Sequence, residues 1–222
     1  ENSIASFSMG DVTIAAGVDA WHDSFSVTVE ASSGDIGAVS FGDLTVTVGD
    51  SATVSSVDYY VSAEDEIASA TMGDISVDVA GSGYFSGELE LYGTSNADIG
   101  AISIGDISLT AATSASASYS MWAYRFDDIE SQTVGNVALS AAGDSAYVYL
   151  SNTLESDGGG DIGDITYGNL SVMADGIDAF AGLYVSASSA DTIGTMTFGD
   201  VTLSVDTGGT TLALLTASVS VT

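Results

Sequence analysis

Seven times along the chain an inward residue, a hydroxyl residue and a second inward residue follow one another, each time beginning three positions after an isoleucine, and the inward residues are apolar in every copy but the fifth, which has Gln132. The isoleucines are Ile4, Ile36, Ile67, Ile99, Ile129, Ile162 and Ile193. The first inward positions are Phe7, Val39, Ala70, Ile102, Gln132, Ile165 and Met196, and the second are Met9, Phe41, Met72, Ile104, Val134, Tyr167 and Phe198. Between them stand Ser8, Ser40, Thr71, Ser103, Thr133, Thr166 and Thr197. A period of two is that of a strand with one face turned to a core.

Six residues after each isoleucine comes a glycine (Gly10, Gly42, Gly73, Gly105, Gly135, Gly168, Gly199), followed by Asp11, Asp43, Asp74, Asp106, Asn136, Asn169 or Asp200. Alternation then restarts at Val12, Leu44, Ile75, Ile107, Val137, Leu170 and Val201. The inward positions on either side of the Gly-Asx pair are three apart, which strict alternation would send to opposite faces, so the chain must bend there. Glycine permits a positive φ or a tight corner, and the Asp or Asn can bond its own backbone in an Asx turn. A third segment, rich in valine and aromatic residues, completes each unit at residues 25–29, 57–61, 89–92, 119–126, 146–150, 183–185 and 212–221.

Successive isoleucines are 30 to 33 residues apart, a period that marks one repeated unit rather than separate domains. The sequence therefore predicts an all-β chain: a single seven-coil β-solenoid spanning 1–222, with repeats of about 31 residues beginning near residues 1, 33, 64, 96, 126, 159 and 190. Each coil has about three strands, stacked in parallel on those of the next. Coils spaced ~4.8 Å apart give a rod about 34 Å tall. The rival is a sandwich or barrel, in which strands pair antiparallel within a unit and like residues do not stack on like.

Charge changes the picture of what such a rod can meet. Asp and Glu number 31 against a single arginine, Arg125, with no lysine, and the net charge is −30. Nucleic acid and anionic membrane surfaces are excluded as partners, because the cations that bind phosphate are missing. No apolar run approaches the roughly 20 residues of a membrane-spanning helix, so membrane insertion is not expected. Cations and cationic surfaces are what this field attracts. With no cysteine there is neither a disulfide nor a thiolate metal site, and the absence of proline suits long backbone ladders.

In a solenoid the Asx residues stack into a column of Asp11, Asp43, Asp74, Asp106, Asn136, Asn169 and Asp200. A second acidic column precedes the isoleucine: Asn2, Asp35, Asp65, Asp98, Asp128, Asp161 and Asp191. Carboxylates ~4.8 Å apart repel by about 1 kcal/mol in water and by roughly 3 to 4 at an effective dielectric of 20. They must splay into water, bind cations between them or take up protons. Calcium suits carboxylate oxygens in irregular geometry. The candidate ligands are Asp11, Asp43, Asp74, Asp106 and Asp200 in one column, Asp35, Asp98, Asp128 and Asp161 in the other, and Asp164 in the dense stretch Asp157-Gly158-Gly159-Gly160-Asp161-Ile162-Gly163-Asp164. The plainer alternative is that each Asx side chain only caps its own turn.

The pattern of Gly, Asp, Ser, Thr, Ala and Val in tandem strands, poor in Lys and Cys, resembles the β-strand repeats of large bacterial surface and biofilm adhesins. The resemblance implies an extracellular or cell-surface structural protein. The calcium-binding nonapeptide repeat Gly-Gly-x-Gly-x-Asp is not matched: only Gly158 and Gly159 fit, with Asp161 and Gly163 where Gly and Asp belong.

No catalytic signature stands out, and an enzyme is not expected. The single histidine, His22, lies in Trp21-His22-Asp23, and any Ser-His-Asp mechanism must pass through it. Paired carboxylates raise a solenoid carbohydrate-active enzyme, but its cleft-building loops are missing. A flat Ser/Thr face raises a binding module for polysaccharide or ice, although along the second strand of the units Thr-x-Thr occurs only at Thr45 and Thr47. Arg125 has Asp127 and Asp128 beside it to pair with, and aromatic neighbours to stack on. The chain holds a whole number of repeats, and neither its first unit nor its last reads as a polar cap. The expected partner is therefore a second copy, stacked head to tail through the terminal coils into a filament; the rival is a fragment of a longer repeat protein, such as the stalk of a surface adhesin, whose neighbouring repeats supply the same contacts covalently.

Overall fold

A computed structural model of the chain describes residues 3–94, 97–125, 127–206 and 210–221. Every unit contributes strands to three sheets, and every strand pairs in parallel with its counterparts in neighbouring units. The first sheet is built from Ile4–Met9, Ile36–Phe41, Glu66–Met72, Asp98–Ile104, Ile129–Val134, Ile162–Tyr167 and Met196–Phe198. The second holds Val12–Ala16, Leu44–Val48, Ile75–Val79, Ile107–Ala111, Val137–Ala142, Leu170–Asp175 and Val201–Val205. The third carries the longest strands, Tyr84–Gly93, Ser116–Arg125, Tyr147–Ser156, Phe180–Ser189 and Leu212–Val221. In the first two units its strand is split, into Trp21–His22 with Phe25–Ala31 and Thr53–Val54 with Val57–Ala63. The seven-coil parallel solenoid is thus the fold, and the antiparallel sandwich is excluded. Of the sequence positions assigned to these strands and columns, Asn2 and Phe126 lie outside the described residues.

Register follows the repeat. Ile4 pairs with Ile36, Phe7 with Val39 and Met9 with Phe41, while on the second sheet Ile75 pairs with Leu44 on one side and Ile107 on the other. Like therefore stacks on like, and the inward rows of all three sheets meet in one continuous apolar core. The hydroxyls of the first sheet face outward, from Ser8 to Thr197. One irregularity lies outside the simple alternation: pairing skips the residue after the isoleucine, passing from Ile4–Ile36 to Ser6–Ala38. There the Ala5 carbonyl turns toward Gly37, where an added Cβ would lie 2.0 Å from its oxygen. This kink lets the isoleucine and the residue three later both point inward.

Three corners join the sheets. The first is the Gly-Asx pair, where the chain turns as expected but without a positive φ at these glycines. The second, between the second and third sheets, places Asp19, Ser51, Ser114, Ser145 and Asp178 in left-handed conformation, with φ from 56° to 62°. Each is followed by an alanine, and Ala52, Ala115, Ala146 and Ala179 are buried inside the bend. Short polar side chains tolerate this conformation best after glycine, at a cost of roughly 1 kcal/mol each. The third corner returns the chain to the next isoleucine. It contains Ser156 and Ser189, whose hydroxyls donate to the Gly160 carbonyl at 3.1 and 2.7 Å.

The core is not wholly apolar. Gln132 on the first sheet and Asn152 on the third are buried face to face. The Gln132 Nε2 donates to Asn152 Oδ1 at 3.3 Å, and Asn152 Nδ2 donates to Gln132 Oε1 at 2.5 Å and to the Tyr167 hydroxyl. Burial raises the Tyr167 phenol far above its ordinary value, against the lowering contact from Asn152. Because the groups satisfy one another, losing one partner should cost more than losing all. Asn152→Leu should destabilise by about 1–3 kcal/mol, whereas Gln132→Leu/Asn152→Leu/Tyr167→Phe should return to within about 1 kcal/mol of the parent in urea unfolding.

Candidate corner columns

At the first corner the Asx side chains of the first six coils reach along the solenoid axis, not back to their own turns. Asp11 Oδ1 accepts the Asp43 N–H at 3.1 Å, Asp43 that of Asp74 at 2.9 Å, and Asp74 that of Asp106 at 2.8 Å. Asp106 accepts from Asn136 at 2.7 Å, Asn136 from Asn169 at 2.9 Å, and Asn169 from Asp200 at 3.0 Å. The backbone carbonyl of each Asx meanwhile accepts from the preceding coil, as Asp43 does from Val12 at 2.8 Å. Where the chain turns out of the ladder, the side-chain oxygen replaces the missing carbonyl, so the Asx N–H of every coil after the first is satisfied. The expected Asx turn is corrected to a bridge between coils.

The same bridge explains the glycine. A Cβ at Gly73 would lie 2.1 Å from Asp43 Oδ1, and at Gly105 or Gly135 it would lie 2.3 Å from the carboxylate of the coil before. Around Gly10, whose coil has none before it in this chain, there is open space. Close approach rather than positive φ is what excludes a side chain.

The second column also forms, with its register corrected. Asp98 pairs with Glu66, so Glu66 and not Asp65 occupies the column, and Thr192 rather than Asp191 stands next to Asp161. At the first coil Ser3 takes the place expected of Asn2, and its hydroxyl oxygen accepts the Asp35 N–H at 3.3 Å. Asp98 Oδ1 accepts the Asp128 N–H at 3.1 Å, Asp128 Oδ1 that of Asp161 at 2.7 Å, and Asp161 Oδ1 the N–H and hydroxyl of Thr192 at 3.1 and 2.6 Å. The column opens into a groove of about 360 Å³ bordered by Glu66, Asp98, Asp128, Glu130 and Asp161.

Beneath that groove lies the only strong cation of the chain. Arg125 is fully buried on the inner face of the third sheet, stacked between Gly93 and Ser156, whose small size makes room for it. Its Nη2 donates to Asp98 Oδ1 at 3.1 Å and its Nη1 to the Asp128 carbonyl, while Nε has no partner. Burial lowers the guanidinium to about 10, against the raising pull of Asp98, Asp127 and Asp128, and it stays charged at neutral pH. The ion pair expected with Asp127 or Asp128 is thus made with the Asp98 carboxylate, one coil earlier.

As calcium ligands the ten candidate carboxylates do not converge. Each column presents its side chains singly, and one oxygen of nearly every member is committed to the next coil. In the dense stretch, Asp157 accepts the Tyr124 hydroxyl at 2.9 Å, Asp161 binds Thr192, and Asp164 accepts the Thr195 N–H at 2.8 Å. Among the described residues no three His, Cys, Asp or Glu side chains gather around one point. The His22 Nδ1 is buried without a hydrogen-bond partner, so the contact that a triad needs is not made at that nitrogen.

Comparison with protein-family models, with curated proteins and with solved structures finds no significant match.

The corner geometry separates the glycines by position. Gly105→Ala should destabilise by about 2 kcal/mol or more, since the methyl strikes both the Asp74 carboxylate and backbone. Gly10→Ala should leave unfolding of the isolated chain within about 0.5 kcal/mol of the parent. Asp74→Asn should be tolerated, as Asn136 and Asn169 are in the same column, while Asp74→Ala should cost about 1 kcal/mol by stranding the Asp106 N–H.

Proposed function

We propose that this chain is a structural module of the extracellular or cell-surface kind, stacking head to tail with further copies into a filament. The observation that carries the reading is the change in burial at the last coil. Leu203 is 49% exposed where its counterpart Val172 is 0%, and Val219 is 53% exposed where Ala187 is 1%. An open coil of this kind presents an apolar cross-section and unpaired strand edges, the surface that another coil covers, whether that coil belongs to a further copy or to the next repeat of a longer chain such as an adhesin stalk.

In-register stacking gives this contact a definite form. Phe198 would lie on Met9 of the next copy and Met196 on Phe7, sulfur–aromatic pairs like that of Phe41 over Met72 within the chain. Asp200 would accept the Asp11 N–H of that copy, continuing the corner column, and the open space beside Gly10 is where its carboxylate would sit. A head-to-tail contact does not close on itself and so propagates. The net charge of −30 opposes it, so salt should promote assembly. Divalent cations held along the acidic columns would act in the same direction.

Sedimentation velocity of the 222-residue chain tests this reading. The expected result is growth of oligomers with protein concentration and with salt, abolished by Leu203→Lys/Val219→Lys. Gly10→Ala should also abolish it, without loss of monomer stability, because the added methyl would strike the incoming Asp200 carboxylate. A monomer at every concentration and ionic strength would overturn the proposal, and assembly indifferent to Gly10→Ala would overturn the in-register contact. Assembly unchanged in a chelator would remove calcium from it.

A further inference from the structure

The outer face of the third sheet carries a trough that neither stacking nor the corner columns use. It has a volume of about 280 Å³ and is bordered by Glu88, Ser120, Trp122, Ser151, Thr153 and Glu155. Parallel register explains how it arises. Glu88, Ser120 and Ser151 succeed one another in three consecutive coils, and Thr153 follows Trp122. A tall indole therefore stands beside short hydroxyl side chains, and the step between them leaves one side of the indole open. On its other flank Trp122 leans on Tyr124 at 5.9 Å between ring centroids, and Tyr124 is stacked on Tyr92 at 5.5 Å and held by Asp157. The indole is thus braced as a platform.

The two glutamates close opposite ends of the trough. Four residues along the strand and two coil steps separate them, a diagonal of roughly 16 Å between backbones. Burial, with the charge of Asp58, raises the Glu88 carboxyl above its usual range, and burial with Asp157 does the same for Glu155. Neither has a cation: the chain has one arginine and no lysine, and Arg125 is committed on the inner face of the sheet.

We propose that this trough binds a short run of a polymeric amino sugar, with a pyranose ring against Trp122, sugar hydroxyls on Ser120, Ser151 and Thr153, and ammonium groups on Glu88 and Glu155. The charges select the amine. Covering an unpaired carboxylate with a neutral sugar removes its water and returns nothing, whereas an ammonium offsets that loss. The hydroxyl floor selects the sugar over a basic peptide, because Ser151 donates to Ser120 at 3.1 Å and the Ser120 and Thr153 hydroxyls still need polar partners, which the aliphatic stem of a lysine does not offer. The trough lies within coils three to five, so the inference is independent of assembly.

Titration calorimetry on the monomeric Leu203→Lys/Val219→Lys chain tests it, with a β-linked glucosamine hexamer, its N-acetylated form, a neutral glucan hexamer and hexalysine as probes. The expected order is strong binding of the glucosamine hexamer and at least tenfold weaker binding of the other three. Trp122→Ala and Glu88→Gln/Glu155→Gln should each weaken the glucosamine hexamer about tenfold, with the circular dichroism melt reporting that the fold is kept. Asp11→Asn/Asp43→Asn removes the same charge far from the trough and should leave affinity unchanged. Equal losses from the two charge-removing pairs would mean attraction to the general field and overturn the site. Equal binding of the acetylated or neutral sugar, or of hexalysine, would overturn the assigned ligand.

Discussion

Each coil can satisfy its backbone only through its neighbours, so all depends on parallel stacking in register. In the flat sheets the ladder does this without help. At the corners the carbonyls turn aside, and a side-chain oxygen must reach one coil along the axis instead. That requirement places Asp or Asn after the glycine in every unit. It also makes the glycine obligatory wherever a preceding coil exists, because the carboxylate occupies the space a methyl would fill.

The constraint fixes how charge is carried. Side chains that stack in register bring like charges to about the spacing of the strands, and 31 acidic residues are difficult to place under that rule. The solution is a backbone N–H aimed at the carboxylates of Asp11, Asp43, Asp74 and Asp106, so that a dipole lies between successive charges. Asn136 and Asn169 make the same bond without charge and shorten the run of negative side chains. The one strong cation is placed where the second column is most crowded, buried between small residues and facing Asp98 and the Asp128 carbonyl. Neutralisation is thus local at one corner and left to the solvent elsewhere.

Variation in unit length is absorbed at the corners. The longest step, from Ile129 to Ile162, carries Gly158 to Gly160 at the third corner, where Ser156 and Ser189 tie the Gly160 carbonyl down. The strands on either side keep register, with Ile129 on Ile162 and Val137 on Leu170. The same economy governs the outer surface. Because each outward position stacks on its counterpart, a change from tryptophan to threonine between two coils is enough to make a trough, with no loop needed.

The sequence by itself determined the coil, its seven copies, the inward rows and the place of the first corner, because each is a local periodicity repeated until chance is excluded. It placed Asp11 to Asp200 in one column, since their offset from the isoleucine never varies. The second column was only partly legible: counting acids put Asp65 and Asp191 where pairing puts Glu66 and Thr192, because side-chain type was followed instead of distance to the next isoleucine. The left-handed corner had a signal, a Ser or Asp before a buried alanine, that hydrophobic alternation does not detect. Only the tertiary structure decided where each side chain points along the axis. It turned the Asx residues from caps of their own turns into bridges between coils, buried Arg125 against Asp98, paired Gln132 with Asn152 across the core, and set Trp122 beside Thr153. These are contacts between residues 20 to 33 apart, and their geometry is set by the stacking of whole coils, which no single unit encodes.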